Sequence, residues 1–74
     1  MTHDEIAMIP NGKHTILRAL YRDWVTDEEM SGKFYGQIFD NDSVAKTVTI
    51  KNAYMGDMTF DYDAVIEEVI HDGD

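Results

Sequence analysis

The sequence predicts a mainly β fold: a small five-stranded antiparallel barrel or a strongly bent antiparallel sheet, preceded by a short N-terminal helix. Three observations predict it. Phe34/Gly36/Ile38, Val48/Ile50 and Met58/Phe60/Tyr62 recur at every second position, with Thr47, Thr49, Lys51, Thr59 and Asp61 between them. Such period-two alternation turns one set of side chains to a core and the other to water. Turn-forming clusters, Asn41-Asp42-Ser43 and Asn52 to Asp57 around Gly56, separate the three runs as in an antiparallel meander. A meander of three strands also needs closure, and residues 14–24 and 64–70 are the segments available for it.

Taken in order, Thr2-His3-Asp4-Glu5 has the Thr-x-x-Glu form of a capping box, and Pro10-Asn11-Gly12 stops the helix that follows. Ile6 and Ile9 form its apolar side and suit packing across an open barrel end. Residues 14–25 read two ways. Ile16, Leu17, Leu20, Tyr21, Trp24 and Val25 match helical spacing, whereas a strand puts Leu17/Ala19/Tyr21 on one face. The need for sheet closure selects the strand. Thr26-Asp27-Glu28-Glu29 then forms a polar connection into Ser31-Gly32. Lys33–Asp40 is the next strand, and Gly36 in its middle marks a bulge or a sharp bend, as at a barrel corner. Lys46–Lys51 and Met58–Tyr62 follow. Residues 64–70 suit a short helix or a final strand after a tight turn at 61–64, and the strand is preferred. The alternative architecture is α+β, a three-stranded meander with helices at 14–25 and 63–71. The whole chain, 1–74, reads as one domain: helix and turn over 1–12, barrel or sheet over 13–70, and a frayed tail over 71–74.

A chain of 74 residues buries only about 60% of its unfolded surface and gains from a stabilising supplement. It holds no cysteine, which excludes disulfides and thiolate zinc sites and leaves homo-oligomerisation through edge strands as the natural supplement. No apolar run reaches the length of a membrane span, and the basic-then-apolar layout of a signal peptide is missing, so a cytoplasmic protein is expected. Fifteen acidic residues against six basic ones give a formal charge of −9. That balance repels phosphate backbones, disfavours direct nucleic-acid binding and favours a protein partner with a basic surface. The six cations lie scattered along the sequence.

Motifs for chemistry are missing. Asp40-Asn41-Asp42 opens like a calcium loop, but Ala45 stands where the loop needs glycine. Asp57, Thr59, Asp61, Asp63 and Glu68 have the calcium-loop spacing, yet Tyr62 occupies the glycine position. His3, His14 and His71 lack ligand spacing. Ser31 and Ser43 fall in apparent turns without a nucleophile-elbow pattern, and there is no glycine-rich phosphate loop. No enzyme, metal site or cofactor is expected.

Residues 15–70 resemble the small Sm-like or SH3-like barrels of bacteria and phages, and the YolD-like family in particular. The resemblance rests on Thr15–Trp24, Gly36-Gln37-Ile38-Phe39-Asp40, Thr47-Val48-Thr49-Ile50 and Phe60-Asp61-Tyr62-Asp63-Ala64-Val65-Ile66. The family's basic, tryptophan-containing N-terminal arm has no counterpart here, and the Gly-to-Asp spacing is one residue shorter. The resemblance implies a non-enzymatic accessory protein, associated in that family with translesion DNA polymerases.

The expected function is therefore that of a small acidic protein-binding module, an adaptor or accessory subunit, with a link to DNA processing or repair implied by the resemblance. Its candidate contact residues are Trp24, Tyr35, Phe39, Asp57, Asp61 and Asp63. Tyr35 and Phe39 share the strand face opposite Phe34 and Ile38, with Trp24 as their expected flank. That face is either exposed or covered by the N-terminal helix. A second function stands beside this one: a phage-type nucleic-acid mimic, which requires the carboxylates to line one ridge.

Overall fold

In a computed structural model, which describes residues 1–69, the chain forms helix α1 (His3–Ala7) and strands β1 (His14–Asp23), β2 (Glu28–Asp42), β3 (Thr47–Asn52), β4 (Gly56–Asp61) and β5 (Val65–Val69). A one-turn 3-10 helix, Tyr62–Ala64, joins β4 to β5. All five strands belong to one antiparallel sheet in the order β4-β3-β2-β1-β5. Among the described residues β4 and β5 do not pair with each other, so the sheet is open, not a closed barrel. The helices of the α+β alternative do not form: residues 14–23 are strand, and 65–69 are strand after the 3-10 turn. The tail expected over 71–74 lies outside the described residues.

The three alternating runs are the middle of the sheet. Val48 pairs with Phe60 and Ile50 with both Ile38 and Met58, which places these side chains on one inner face. Leu17 and Ala19 of β1, Val65 of β5 and Tyr62 join them in a single core, together with Ile6 of α1 and Ile9 just after it. Burying two isoleucines there is worth about 1.5–3 kcal/mol each. This holds a five-residue helix that would not persist in isolation. The capping box forms as read: the Glu5 amide donates to Thr2 Oγ1 at 3.1 Å and the Thr2 amide to Glu5 Oε1 at 2.7 Å. The backbone bond to Thr2 also holds the Glu5 carboxyl below its ordinary pKa.

Gly36 sits where β2 exchanges partners, from β1 (Thr15 opposite Gly36) to β3 (Lys51 opposite Gln37). A Cβ at this position would stand 2.3 Å from the Lys51 carbonyl oxygen. The glycine is required by space, because neighbouring backbone occupies the volume a side chain would need.

A bulge follows between Phe39 and Asp42, with Asp40 at φ 51°. It swings Asn41 inward, where its amide nitrogen donates to the carbonyls of Ile6 and Ile9 at 2.9 Å each. The Tyr62 hydroxyl donates to Asn41 Oδ1, and the Asn41 backbone amide donates to Asn11 Oδ1 at 2.9 Å. One asparagine thus ties α1, the bulge and the 3-10 turn together. Burial, and then the nearby Asp42 charge, raise the pKa of the Tyr62 phenol.

The three hairpin turns share a chemistry. Asp23, Asp42 and Asn52 each accept backbone amides of the loop with a side-chain oxygen. Asp27, Lys46 and Gly56 each end the turn with positive φ. The β1–β2 ribbon is longer than the alternation indicated: β2 begins at Glu28, so Glu28, Glu29 and Ser31 are strand residues and not a connection or a turn.

Candidate functional site

The outer face of the sheet, away from the core, is built from alternate residues of every strand. Register places Tyr35 opposite Ile16, Gln37 opposite His14 and Lys51, and Phe39 opposite Thr49. Helix α1 packs against the inner side, which leaves this face open. Tyr35 is 61% and Phe39 50% exposed. Along β2 these two rings and Gln37 form a row about 13 Å long. The Lys51 ammonium lies 6.0 Å from the centre of the Phe39 ring, at the outer limit of a cation–π contact.

Tyr35 stands between two open concavities. One, about 510 Å³, is lined by Lys13, Thr15, Ile16, Glu68 and Val69; the other, about 500 Å³, by Gln37, Lys51, Asn52, Tyr54 and Asp57; His14 borders both. In the first, Glu68 accepts from the Thr15 hydroxyl at 2.6 Å and from Lys13 Nζ at 2.9 Å. Partial burial pushes the Glu68 carboxyl up, but those two hydrogen bonds and the lysine charge outweigh it and hold the group below its ordinary pKa. The second concavity is fixed at its rim by Asn52, whose side-chain amide donates to the Tyr35 carbonyl at 2.7 Å.

Of the six residues singled out from sequence, four share this face. Asp57 and Asp61 project from β4, two strands across from the Tyr35–Phe39 row, or roughly 10 Å. Asp63 lies apart on the 3-10 turn, where it meets His3 Nε2 at 2.6 Å. Trp24 does not flank the row. It is 90% exposed at the tip of the β1–β2 ribbon, about 23 Å along the strand from Tyr35. The turn chemistry of Asp23 and Asp27 holds it there. Residues that the sequence reading left out are His14, Ile16 and Tyr54. Alternation along β1 carried the signal for His14 and Ile16, but only the register reveals that they stand beside Tyr35.

The cations, scattered in sequence, are gathered by the sheet. Arg18, Arg22, Lys33 and Lys51 all project from the outer face. Arg18 meets Glu67 at 3.1 Å, Arg22 stands opposite Glu29 and Lys51 opposite Asp57. This face is therefore close to charge balance in a chain that carries −9.

The calcium-spaced acids do not converge, because Asp57, Thr59 and Asp61 run along β4 while Glu68 faces Lys13 on β5. Among the described residues, no three His, Asp or Glu side chains are placed to hold a metal ion. No described helix is long and apolar enough to cross a membrane. Compared with known proteins, the chain matches no family model, no curated protein and no solved structure at a significant level.

Proposed function

We propose that the protein is a non-enzymatic binding module whose outer sheet face docks a protein partner. One observation carries the reading: two large aromatic rings, Tyr35 and Phe39, stand exposed in a row on the central strand of the sheet, with concavities on both sides of Tyr35. Aromatic anchors of this kind dominate interface energetics, since they bury much area at little entropic cost. The charge-balanced face suits a partner surface of mixed charge, and the chain's overall −9 steers basic proteins toward it. An accessory role in a DNA-processing complex is what the resemblance of residues 15–70 to YolD-like barrels implies.

The mimic reading gains nothing from the geometry. Asp23, Asp27, Glu28 and Glu29 gather at the ribbon tip, Asp40 and Asp42 at the bulge, and Asp57 and Asp61 on β4, so the described acids form separate groups.

The test is a pull-down from cells of the source organism with the wild type and with Tyr35→Ser/Phe39→Ser. The wild type is expected to retain a partner in stoichiometric amount and the double variant to lose it at unchanged thermal stability. Equal recovery by both proteins, or none by a strictly monomeric wild type, refutes the proposal.

A further inference from the structure

The sheet ends in two edges that differ in kind. The edge of β5 is partly occupied: the N-terminal ammonium donates to the Ile66 carbonyl at 3.0 Å. The edge of β4 is free among the described residues, since that strand pairs with β3 alone. Its outward backbone groups can be assigned. The Tyr62 amide donates to the Lys46 carbonyl, which makes residues 46 and 62 a hydrogen-bonded pair. Antiparallel pairs alternate, so Val48–Phe60 and Ile50–Met58 bond inward. The amides and carbonyls of Asp57, Thr59 and Asp61 therefore point away from β3, into the free edge. The close Thr49–Thr59 hydroxyl contact, 2.8 Å, fits such a non-hydrogen-bonded pair.

Beside this edge runs an apolar groove of about 510 Å³ between β4 and the protruding β1–β2 ribbon, lined by Tyr21, Gly32, Phe34, Met55, Met58 and Phe60. Tyr21 stacks edge-on against Phe34, whose ring centre lies 4.8 Å from that of Phe60, so the floor is aromatic. On the opposite side of the same strand, Asp57 and Asp61 form no ion pair among the described residues, with Lys51 the cation across from Asp57 on β3. Three features thus meet on one strand: outward backbone groups, alternate apolar side chains, and carboxylates on the intervening positions.

We infer that the β4 edge binds an extended segment of a partner protein in which basic and apolar residues alternate, added as a sixth strand. Its apolar residues enter the Tyr21–Phe34–Met58 groove and its basic residues reach Asp57 and Asp61. A second copy of this chain is the poorer occupant. Its own edges carry Asp57 and Asp61, or Glu67 and Glu68, and would set like charges opposite one another. This edge lies two strands from the Tyr35–Phe39 row and shares only Asp57 with the concavity beside Tyr35; Thr59→Pro, which touches neither Tyr35 nor its concavities, and Tyr35→Ser/Phe39→Ser make failure of the two sites distinguishable.

The probe is a short synthetic peptide alternating lysine and valine, titrated into the ¹⁵N-labelled full chain beside a glutamate–valine control. Amide shift changes are expected at Gly56–Asp61 and at Phe34, with the control peptide inert. Thr59→Pro removes an outward amide while leaving the β3 ladder intact, as edge strands tolerate. It should weaken lysine–valine binding at least tenfold. Asp57→Lys/Asp61→Lys, which does not touch the backbone, should weaken it about fivefold and admit the glutamate–valine peptide. Any of the following overturns the inference: undiminished binding by both variants, shift changes centred on Tyr35 and Phe39, equal binding of the control, or self-association through β4 in sedimentation.

Discussion

Replacing Gly36 by alanine puts a methyl group 2.3 Å from the Lys51 carbonyl oxygen and 2.9 Å from its carbon. Contacts below 3.0 Å require movement, and both obstacles are backbone atoms of the neighbouring strand. β2 and β3 must then separate by most of an ångström at the point where β2 changes partners. Overpacking of this kind costs about 1–3 kcal/mol. Weakening of the adjacent ladder bond adds about 1 kcal/mol. The expected loss is about 3 kcal/mol, against a total stability of roughly 4–11 kcal/mol for a chain of this size. The sign is diagnostic. Within an ordinary strand, glycine to alanine stabilises by about 0.5–1 kcal/mol through the unfolded chain. Urea denaturation followed by circular dichroism measures the difference, and the melting temperature should fall by about 12–24 °C. A variant as stable as the wild type would refute the close approach of β2 to β3.

Asn41→Ala removes both bonds to the Ile6 and Ile9 carbonyls and strands the Tyr62 hydroxyl, for a loss of about 3 kcal/mol; Tyr62→Phe, keeping those two bonds, should lose less than half as much in the same urea experiment. Lys46→Gly relieves a left-handed backbone at φ 58° and should raise stability by up to about 1 kcal/mol, whereas Gly56→Ala, at φ 80°, should lower it by a similar amount. The Glu68 carboxyl, held below its ordinary pKa, adds stability that is complete above the unfolded carboxylate range near 4.3 and is lost as pH falls through the lowered folded value. Glu68→Gln should therefore be less stable than the wild type at neutral pH, and the gap should close in acid melts. Burial of neutral Tyr62 acts at the other end of the scale: its stabilisation is intact below about pH 10 and lost above it, so base should unfold the wild type more steeply than Tyr62→Phe.

The sequence was a sufficient guide to β3 and β4, because Val48, Ile50, Met58 and Phe60 face the core and polar residues alternate with them, even though Thr49 is buried on the outer side beside Thr59. Gly36 and the capping box were legible for the same reason, since each answers a local steric or hydrogen-bonding need. β1 was ambiguous because both of its faces are apolar: Leu17 and Ala19 enter the core while Ile16 lies beside Tyr35 on the outer face. Two-sided apolarity erases period two and imitates helical spacing. The first half of β2 gave no pattern because the ribbon over 28–33 is exposed or half-buried along its length. That Tyr35 and Phe39 share one face of β2, and Asp57 and Asp61 one face of β4, was readable from alternation alone. The remoteness of Trp24, the gathering of Arg18, Arg22, Lys33 and Lys51, and the role of Asn41 all depend on register and on one bulge. No local signal encodes those.

The claim that the Tyr35–Phe39 row is a docking surface is tested most directly by photo-crosslinking in the source cells. A benzoyl-phenylalanine analogue placed at Phe39 should give one discrete adduct of higher mass, and the same probe at Val44, exposed on the β2–β3 turn, should give none. Adducts at Val44 with none at Phe39, or no adduct at either, would contradict it.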